Sequence, residues 1–397
     1  MSSTSKLFAP RCMVRIAKTF APPSPSPQPH TGRLPTFSAR ATPGFGLGSG
    51  TRLNVNLART YHSMSTANPT MKALVYKQVG QVELQERPTP KIAAPTDAIV
   101  KLTKTTICGT DLHIRKGDVS TCLPGRVLGH EGVGIVDEVG GSVTRFRPGD
   151  KVLISCISSC ASCEYCRRGM YSHCTTGGWL LGNAIDGTQA EYVRIPHADC
   201  SLYAVPRGVD EAALVTLSDI FPTGLECGVL NGKVQPGGTV AIVGSGPVGL
   251  AALVTARFYS PATVIVIDTD SGRLQVASDL GADEIIDSST MGVDLLVKDV
   301  RDLTDGKGCD TVIECVGVPA TFEFCQKLLA PGGVLANVGV HGTKVDLFLD
   351  DLWAKNISMS ALLQPSCLLA TATPWYLVLT FQPSPPGSLT RSRRRCC

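Results

Sequence analysis

From Met1 to Val82 the chain carries no aspartate and no glutamate; Glu83 is the first acid among 397 residues. Eight basic residues, Lys6, Arg11, Arg15, Lys18, Arg33, Arg40, Arg52 and Arg59, stand between Met1 and Tyr61 without counter-charges. An acid-free leader bearing Arg and Ser has the composition of a mitochondrial transit peptide. Lys6–Phe20 reads as a short basic amphipathic helix interrupted by Pro10, and Arg59-Thr60-Tyr61 resembles a context cut by matrix peptidases. Between them, Ala21–Gly50 is rich in Pro, Ser and Gly and has too few large apolar side chains to pack. Residues 1–70 are therefore expected to be a disordered leader directing the protein to the mitochondrial matrix. The alternative is a cytoplasmic protein starting at Met64 or Met71.

The leader masks the charge of the rest. Without its eight cations, 29 basic residues face 33 acidic ones. That balance gives no sign of nucleic-acid binding. A secretory signal is also lacking, so the 16 cysteines do not read as the disulfide framework of a small secreted domain. From Gln364 onward the chain has no Asp, Glu or Lys and no clean hydrophobic period. Its apolar run, Leu362–Phe381, is broken by Pro365 and Pro374 and is marginal for a bilayer span, so no membrane association is expected. Residues 364–397 read as an aberrant tail, unselected for folding.

What is present suits a two-domain enzyme: 43% hydrophobic and 18% charged residues. Met71–Tyr76, Ala98–Leu102, Val133–Val139 and Lys151–Ile154 read as short strands separated by turns, predicting a barrel-like β domain over 71–220. The pattern then changes. Thr239–Val243, Thr263–Asp268, Thr311–Glu314 and Val334–Val338 are buried-type strands separated by helix-compatible segments, the signature of a parallel sheet over 221–363.

Two motifs carry chemistry outright. Cys160-Ala-Ser-Cys163-Glu-Tyr-Cys166 followed by Cys174 puts four thiols within fifteen residues, the spacing of a structural tetrahedral zinc site. Gly244-Ser-Gly246-Pro247-Val248-Gly249 follows an apolar strand and opens a helix, and Asp268 stands twenty-four positions after Gly244. That is the dinucleotide fingerprint: glycines bring the pyrophosphate onto a helix amino terminus, and the acid accepts from the ribose hydroxyls. A carboxylate there repels a 2′-phosphate, which favours NAD over NADP. Arg273 lies near enough in sequence to soften that preference.

Three further segments hold candidate ligands: Cys108-Gly-Thr110-Asp111-Leu-His113, Gly129-His130-Glu131-Gly132 and Leu217-Ser218-Asp219-Ile-Phe-Pro-Thr223-Gly224. With the four-cysteine run and the nucleotide fingerprint, they resemble the zinc-dependent medium-chain alcohol dehydrogenases over roughly residues 71–363. The similarity is greatest to the branch that includes glutathione-independent formaldehyde dehydrogenases, where an Asp replaces the second thiolate. The resemblance implies an α/β chain with a GroES-like β-barrel catalytic domain followed by a Rossmann domain. It implies two zinc ions and NAD. Cys108, His130 and Asp219 would bind catalytic zinc, with Glu131 beside it. Thr110 and His113 would relay the alcohol proton, and Asp111 would orient His130. Thr223, Val338 and Val340 would lie against the cofactor, with Trp179 either lining the alcohol pocket or packing under the zinc lobe. Cys156, Cys227, Cys309 and Cys315 read as small buried hydrophobes, and His173 and His197 as non-ligands.

The implied reaction is reversible hydride transfer from a small primary alcohol to NAD, giving an aldehyde. Family members continue about fifty residues beyond the point matching Ala361, to complete the nucleotide sheet and return to the catalytic domain. Here that stretch is replaced, so the Rossmann domain is expected to be C-terminally incomplete. A non-catalytic zinc-binding product of the same family is the alternative reading. Oligomerisation, which in the family uses the strand near Ile357–Leu363, is in doubt for this chain.

Overall fold

The computed structural model describes residues 69–361, so residues 1–68 of the expected leader and the 364–397 tail lie outside the described residues, and Thr70, placed in that leader, already belongs to the first strand. The chain opens with the antiparallel hairpin β1 (Thr70–Gln78) and β2 (Gln81–Pro88). β3 (Ala98–Thr105), β4 (Gly132–Val139), β5 (Lys151–Ile154), β6 (Tyr192–Ile195) and β7 (Leu202–Ala204) then form a five-stranded antiparallel sheet in the order β6-β3-β4-β5-β7. Alternation drives this half. In β1, Met71, Ala73 and Val75 are buried while Lys72 is exposed, the period of a strand with one wet face.

The second half is a six-stranded parallel sheet. It comprises β8 (Thr239–Val243), β9 (Thr263–Asp268), β10 (Glu284–Asp287), β11 (Cys309–Glu314), β12 (Leu329–Asn337) and β13 (Ser358–Ala361). The order is β10-β9-β8-β11-β12-β13. Counted from its own first strand, that is 3-2-1-4-5-6, the doubly wound dinucleotide-binding order, whose ligand crevice lies beyond the carboxyl ends of the strands. The sequence reading placed four of these strands and left out β10 and β13. β13 is the last described element and pairs on one side only, with β12.

The strands at the sheet centre are uninterrupted apolar runs because helices cover both faces. Val240, Ile242, Val264 and Val266 pack on one face with Leu253 and Ala256 of the helix Pro247–Ala256, and this cluster continues into Val133 of β4 and Leu153 of β5. Ala241, Val243, Ile265 and Ile267 face the other side with Leu296, Phe322 and Leu328. One core thus joins the two sheets. The helical segment between them, from Glu211 to Leu230, carries Asp219. Among the described residues no single helix is long and apolar enough to cross a membrane.

Candidate active site

Three segments converge at the junction of the two sheets. Cys108 sits at the amino end of the helix Gly109–Lys116, where its N–H donates to Asp111 Oδ2 at 2.9 Å. His130 immediately precedes β4, and Asp219 stands between the short helices Val215–Ser218 and Ile220–Thr223. Ser218 ties these pieces together. Its hydroxyl accepts from Gly132 N at 3.2 Å, and its carbonyl accepts from Cys156 N at 3.1 Å. His130 Nε2 consequently lies 3.3 Å from Asp219 Oδ2, and Cys108 Sγ lies 3.9 Å from that same oxygen. All three donor atoms fall within 4.8 Å of one another.

The electrostatics of this trio call for a cation. Burial alone lowers the basicity of His130, yet the Asp219 carboxylate and the Cys108 thiol more than offset it and push its pKa well above the ordinary value. Asp219, disfavoured by burial, is nonetheless held below the usual carboxylate range by His130 and Thr223. Burial, then the neighbouring Asp219 charge, pushes Glu131 up to about 7. One buried thiol, one buried imidazole and one half-buried carboxylate, mutually within reach, fit a three-ligand zinc site with an open fourth position.

The second cluster lies in the loop after β5. The sulfurs of Cys160, Cys163, Cys166 and Cys174 all lie within 4.8 Å of one another. Each thiol is free, which removes the disulfide reading. Backbone and side-chain donors prepare the loop for anionic sulfur. Cys163 N and Ser162 Oγ donate to Cys160 Sγ at 3.3 and 3.4 Å, and Cys160 N donates to Cys174 Sγ at 3.3 Å. With Ser162 foremost, the donors to Cys160 pull its thiol down to about 5, while burial pushes the Cys166 thiol up to about 12. His173 and His197 belong to neither cluster; His197 Nε2 pairs with Thr176 Oγ1 at 3.0 Å.

The glycine-rich turn has the geometry its motif implies. Gly244 has φ +95°, and a Cβ on Gly249 would lie 1.8 Å from Gly244 O, so only glycine lets turn and helix approach so closely. Pro247 opens the following helix. Asp268, at the end of β9, accepts from Ser245 N at 2.5 Å and Ser245 Oγ at 2.9 Å through Oδ2. Burial disfavours its charge, but Ser245 and the amides of Asp270 and Thr269 hold its pKa below the usual range. Arg273 Nε lies 3.9 Å from Asp270 Oδ2, so its charge is partly committed to that carboxylate.

Comparison with known proteins is decisive. The alcohol dehydrogenase GroES-like domain matches residues 94–207, and the zinc-binding dehydrogenase domain matches residues 247–375. An alcohol dehydrogenase of Cupriavidus necator is 38% identical over 295 residues, 70% of this chain and 78% of that protein. The chain belongs to the zinc-dependent medium-chain alcohol dehydrogenases. Zinc-type alcohol dehydrogenase B of Aspergillus flavus is likewise 38% identical over 306 residues, 75% of this chain and 70% of its own length. The solved apo form of zinc-dependent alcohol dehydrogenase 2 from Streptococcus pneumonia superposes with a TM-score of 0.73 at 52% identity, covering 78% of this chain and 87% of that one.

Within this dehydrogenase, the trio opens onto a cavity of about 190 Å³ between the two sheets. Thr110, His113 and Trp179 line it from the β half; Val248, Val338 and Val340 line it from the nucleotide half. Thr110 Oγ1 lies 3.8 Å from Cys108 Sγ, and His113 Nδ1 lies 2.8 Å from Asp118 Oδ2. Trp179 lines the cavity and packs edge-on to His130 at 6.1 Å. Val338 and Val340 lie just past β12, which ends at Asn337, and so sit in a turn instead of a strand end.

Two expectations change. Asp111 does not hydrogen-bond His130: Oδ2 is taken by Cys108 N and by Gln189 Nε2 at 2.9 Å, while Oδ1 and His130 Nδ1 are both buried without a partner. The cause is local. Asp111 is in the first helical turn, and its carboxylate folds back on the helix start as a cap. Cys156 is not an inert filler. Its thiol lies 3.4 Å from Asp219 Oδ1 and lines the cavity. Thr223 Oγ1 donates to that same oxygen at 2.6 Å, so Thr223 holds a ligand as well as facing the cavity. Ser-Cys156 within an apolar strand end offered no motif by which to find the first of these.

Proposed function

We propose that this alcohol dehydrogenase oxidises small primary alcohols to aldehydes with NAD, reversibly. The observation that carries the reading is the donor trio of Cys108, His130 and Asp219 opening onto a small, mostly apolar cavity whose far wall is the nucleotide half. Zinc bound by the trio would supply Lewis acidity, and the dinucleotide would supply the hydride-accepting ring.

The chain's own residues do the rest. Thr110 is the hydroxyl beside the reacting alcohol, positioned to take its proton and pass it on. With Nδ1 of His113 donating to Asp118, Nε2 is the ring nitrogen that accepts the proton at the end of that relay. Val248, Val316, Val338 and Val340 present apolar surface that excludes water from the site. Asp268 supports NAD over NADP: its carboxylate, already holding Ser245, places negative charge where a 2′-phosphate would enter.

The four-cysteine cluster, in the same reading, holds a second, structural zinc, and the protein works in the mitochondrial matrix. The test is an assay of the zinc-loaded chain with a series of short primary and secondary alcohols, each given NAD or NADP. Faster turnover of primary alcohols with NAD supports the reading. Preference for NADP, or for secondary alcohols, replaces it. Fusion of residues 1–61 to a fluorescent reporter tests localisation.

A further inference from the structure

Glu314, the last residue of β11, is a fully buried carboxylate in the middle of the parallel sheet, at the edge that faces the cavity. Its bonds go to two separate turns. Oε1 accepts from Val316 N at 3.0 Å, Gly317 N at 2.9 Å and Thr321 Oγ1 at 2.7 Å. Its main-chain carbonyl accepts from Val338 N at 2.8 Å and Gly339 N at 3.0 Å. The residues so tied, Val316, Val338 and Gly339, are themselves part of the cavity wall.

The second carboxylate oxygen is the unusual one. Oε2 has no hydrogen-bond partner and lies 3.6 Å from His341 Nε2. That nitrogen is 2.9 Å from Asn337 Oδ1, and Asn337 Nδ2 donates to Gly339 O at 3.0 Å. The ring also packs edge-on to Phe322 at 5.6 Å. There is no slack between the turns. A Cβ on Gly339 would lie 2.3 Å from Gly317 N and 2.4 Å from Glu314 Oε2. A buried carboxylate is costly unless it is fully used, so its retention at this point needs a reason beyond packing.

We infer that Glu314, backed by His341, is a positioning residue for the dinucleotide. It locks the Cys315–Val318 and Val338–His341 turns together so that the wall against the nicotinamide is set before the cofactor arrives. The inference rests on reading the crevice as a dinucleotide site. It adds a specific device: two turns from different strands fastened to one residue, the first through its carboxylate and the second through its main-chain carbonyl, with His341 beside the free carboxylate oxygen.

The test compares NADH binding, by fluorescence, in wild type, Glu314→Gln and His341→Phe, each with zinc content and melting temperature measured. Glu314→Gln keeps the shape and removes the charge that strengthens the three bonds to Oε1. His341→Phe keeps the ring against Phe322 and covers the case in which Glu314→Gln fails to fold. The expected result is NADH binding weakened about tenfold, with zinc content unchanged and kcat reduced more than the alcohol KM is raised. Lower melting temperatures with NADH affinity and kcat within about twofold of wild type would make the cluster merely structural and overturn the inference. Wild-type protein that binds neither NADH nor NADPH would remove the cofactor reading itself, and the inference with it.

Discussion

The Cys156 thiol lies 3.4 Å from Asp219 Oδ1, the oxygen opposite the one that faces His130 and Cys108. With Thr223 Oγ1 at 2.6 Å on the same atom, Asp219 has one oxygen clamped and one presented to the metal. Outer donors of this kind commonly account for about 10- to 100-fold in metal affinity. Cys156→Ala and Thr223→Val are each expected to weaken zinc binding by an amount in that range, with Cys156→Ser close to wild type. Chelator competition measures it.

In the proposed function, cofactor choice rests on Asp268 and its grip on Ser245. Asp268→Ala removes a charged acceptor, and hydrogen bonds to charged groups contribute about 1.5–3 kcal/mol. NADH affinity should therefore fall about 10- to 100-fold, while NADPH affinity falls less or rises. Ser245→Ala loosens the turn without changing the charge, so it should weaken both cofactors alike. Fluorescence titration with each cofactor separates the two effects.

Gly249→Ala would place a methyl group 1.8 Å from Gly244 O, and the atom in the way is backbone. The turn must then shift out of the shape that receives the pyrophosphate. Dinucleotide binding should be lost while both metal clusters keep their zinc, which elemental analysis beside NADH titration will show.

Much of this was legible in the sequence because the decisive signals are local. The four-cysteine run, the glycine-rich turn and the three ligand segments each fit within about fifteen residues, and the structure brings them together as those motifs imply. What escaped is contact between distant segments. Nothing near Cys156 in the chain hints at Asp219, and nothing near Glu314 hints at His341. Strand limits slipped for a physical reason too. Pro331-Gly332-Gly333 reads as a turn, yet β12 begins at Leu329 and passes through it, with a shift in register between Cys309 and Thr311 of β11. Asp111 misled because its residue type suits either a histidine partner or a helix cap, and only the fold decides.

Apolar side chains collect around β13, where Leu349 is 62%, Trp353 75% and Met359 48% exposed. An edge strand flanked by such a patch is a pairing surface. If two copies meet there, Trp353→Glu with Met359→Glu should shift the mass measured by light scattering from oligomer to monomer. An unchanged mass would place assembly elsewhere.

The central claim is that Cys108, His130 and Asp219 hold the zinc that makes this chain an alcohol dehydrogenase. The most direct measurement is alcohol-dependent NAD reduction during zinc titration of the metal-free chain, beside Asp219→Ala. The account predicts that wild type saturates at two zinc ions per chain with full turnover. Asp219→Ala should keep the ion of the four-cysteine cluster and lose about 100- to 1,000-fold in rate. An Asp219→Ala chain that binds two zinc ions and turns over at the wild-type rate would contradict it.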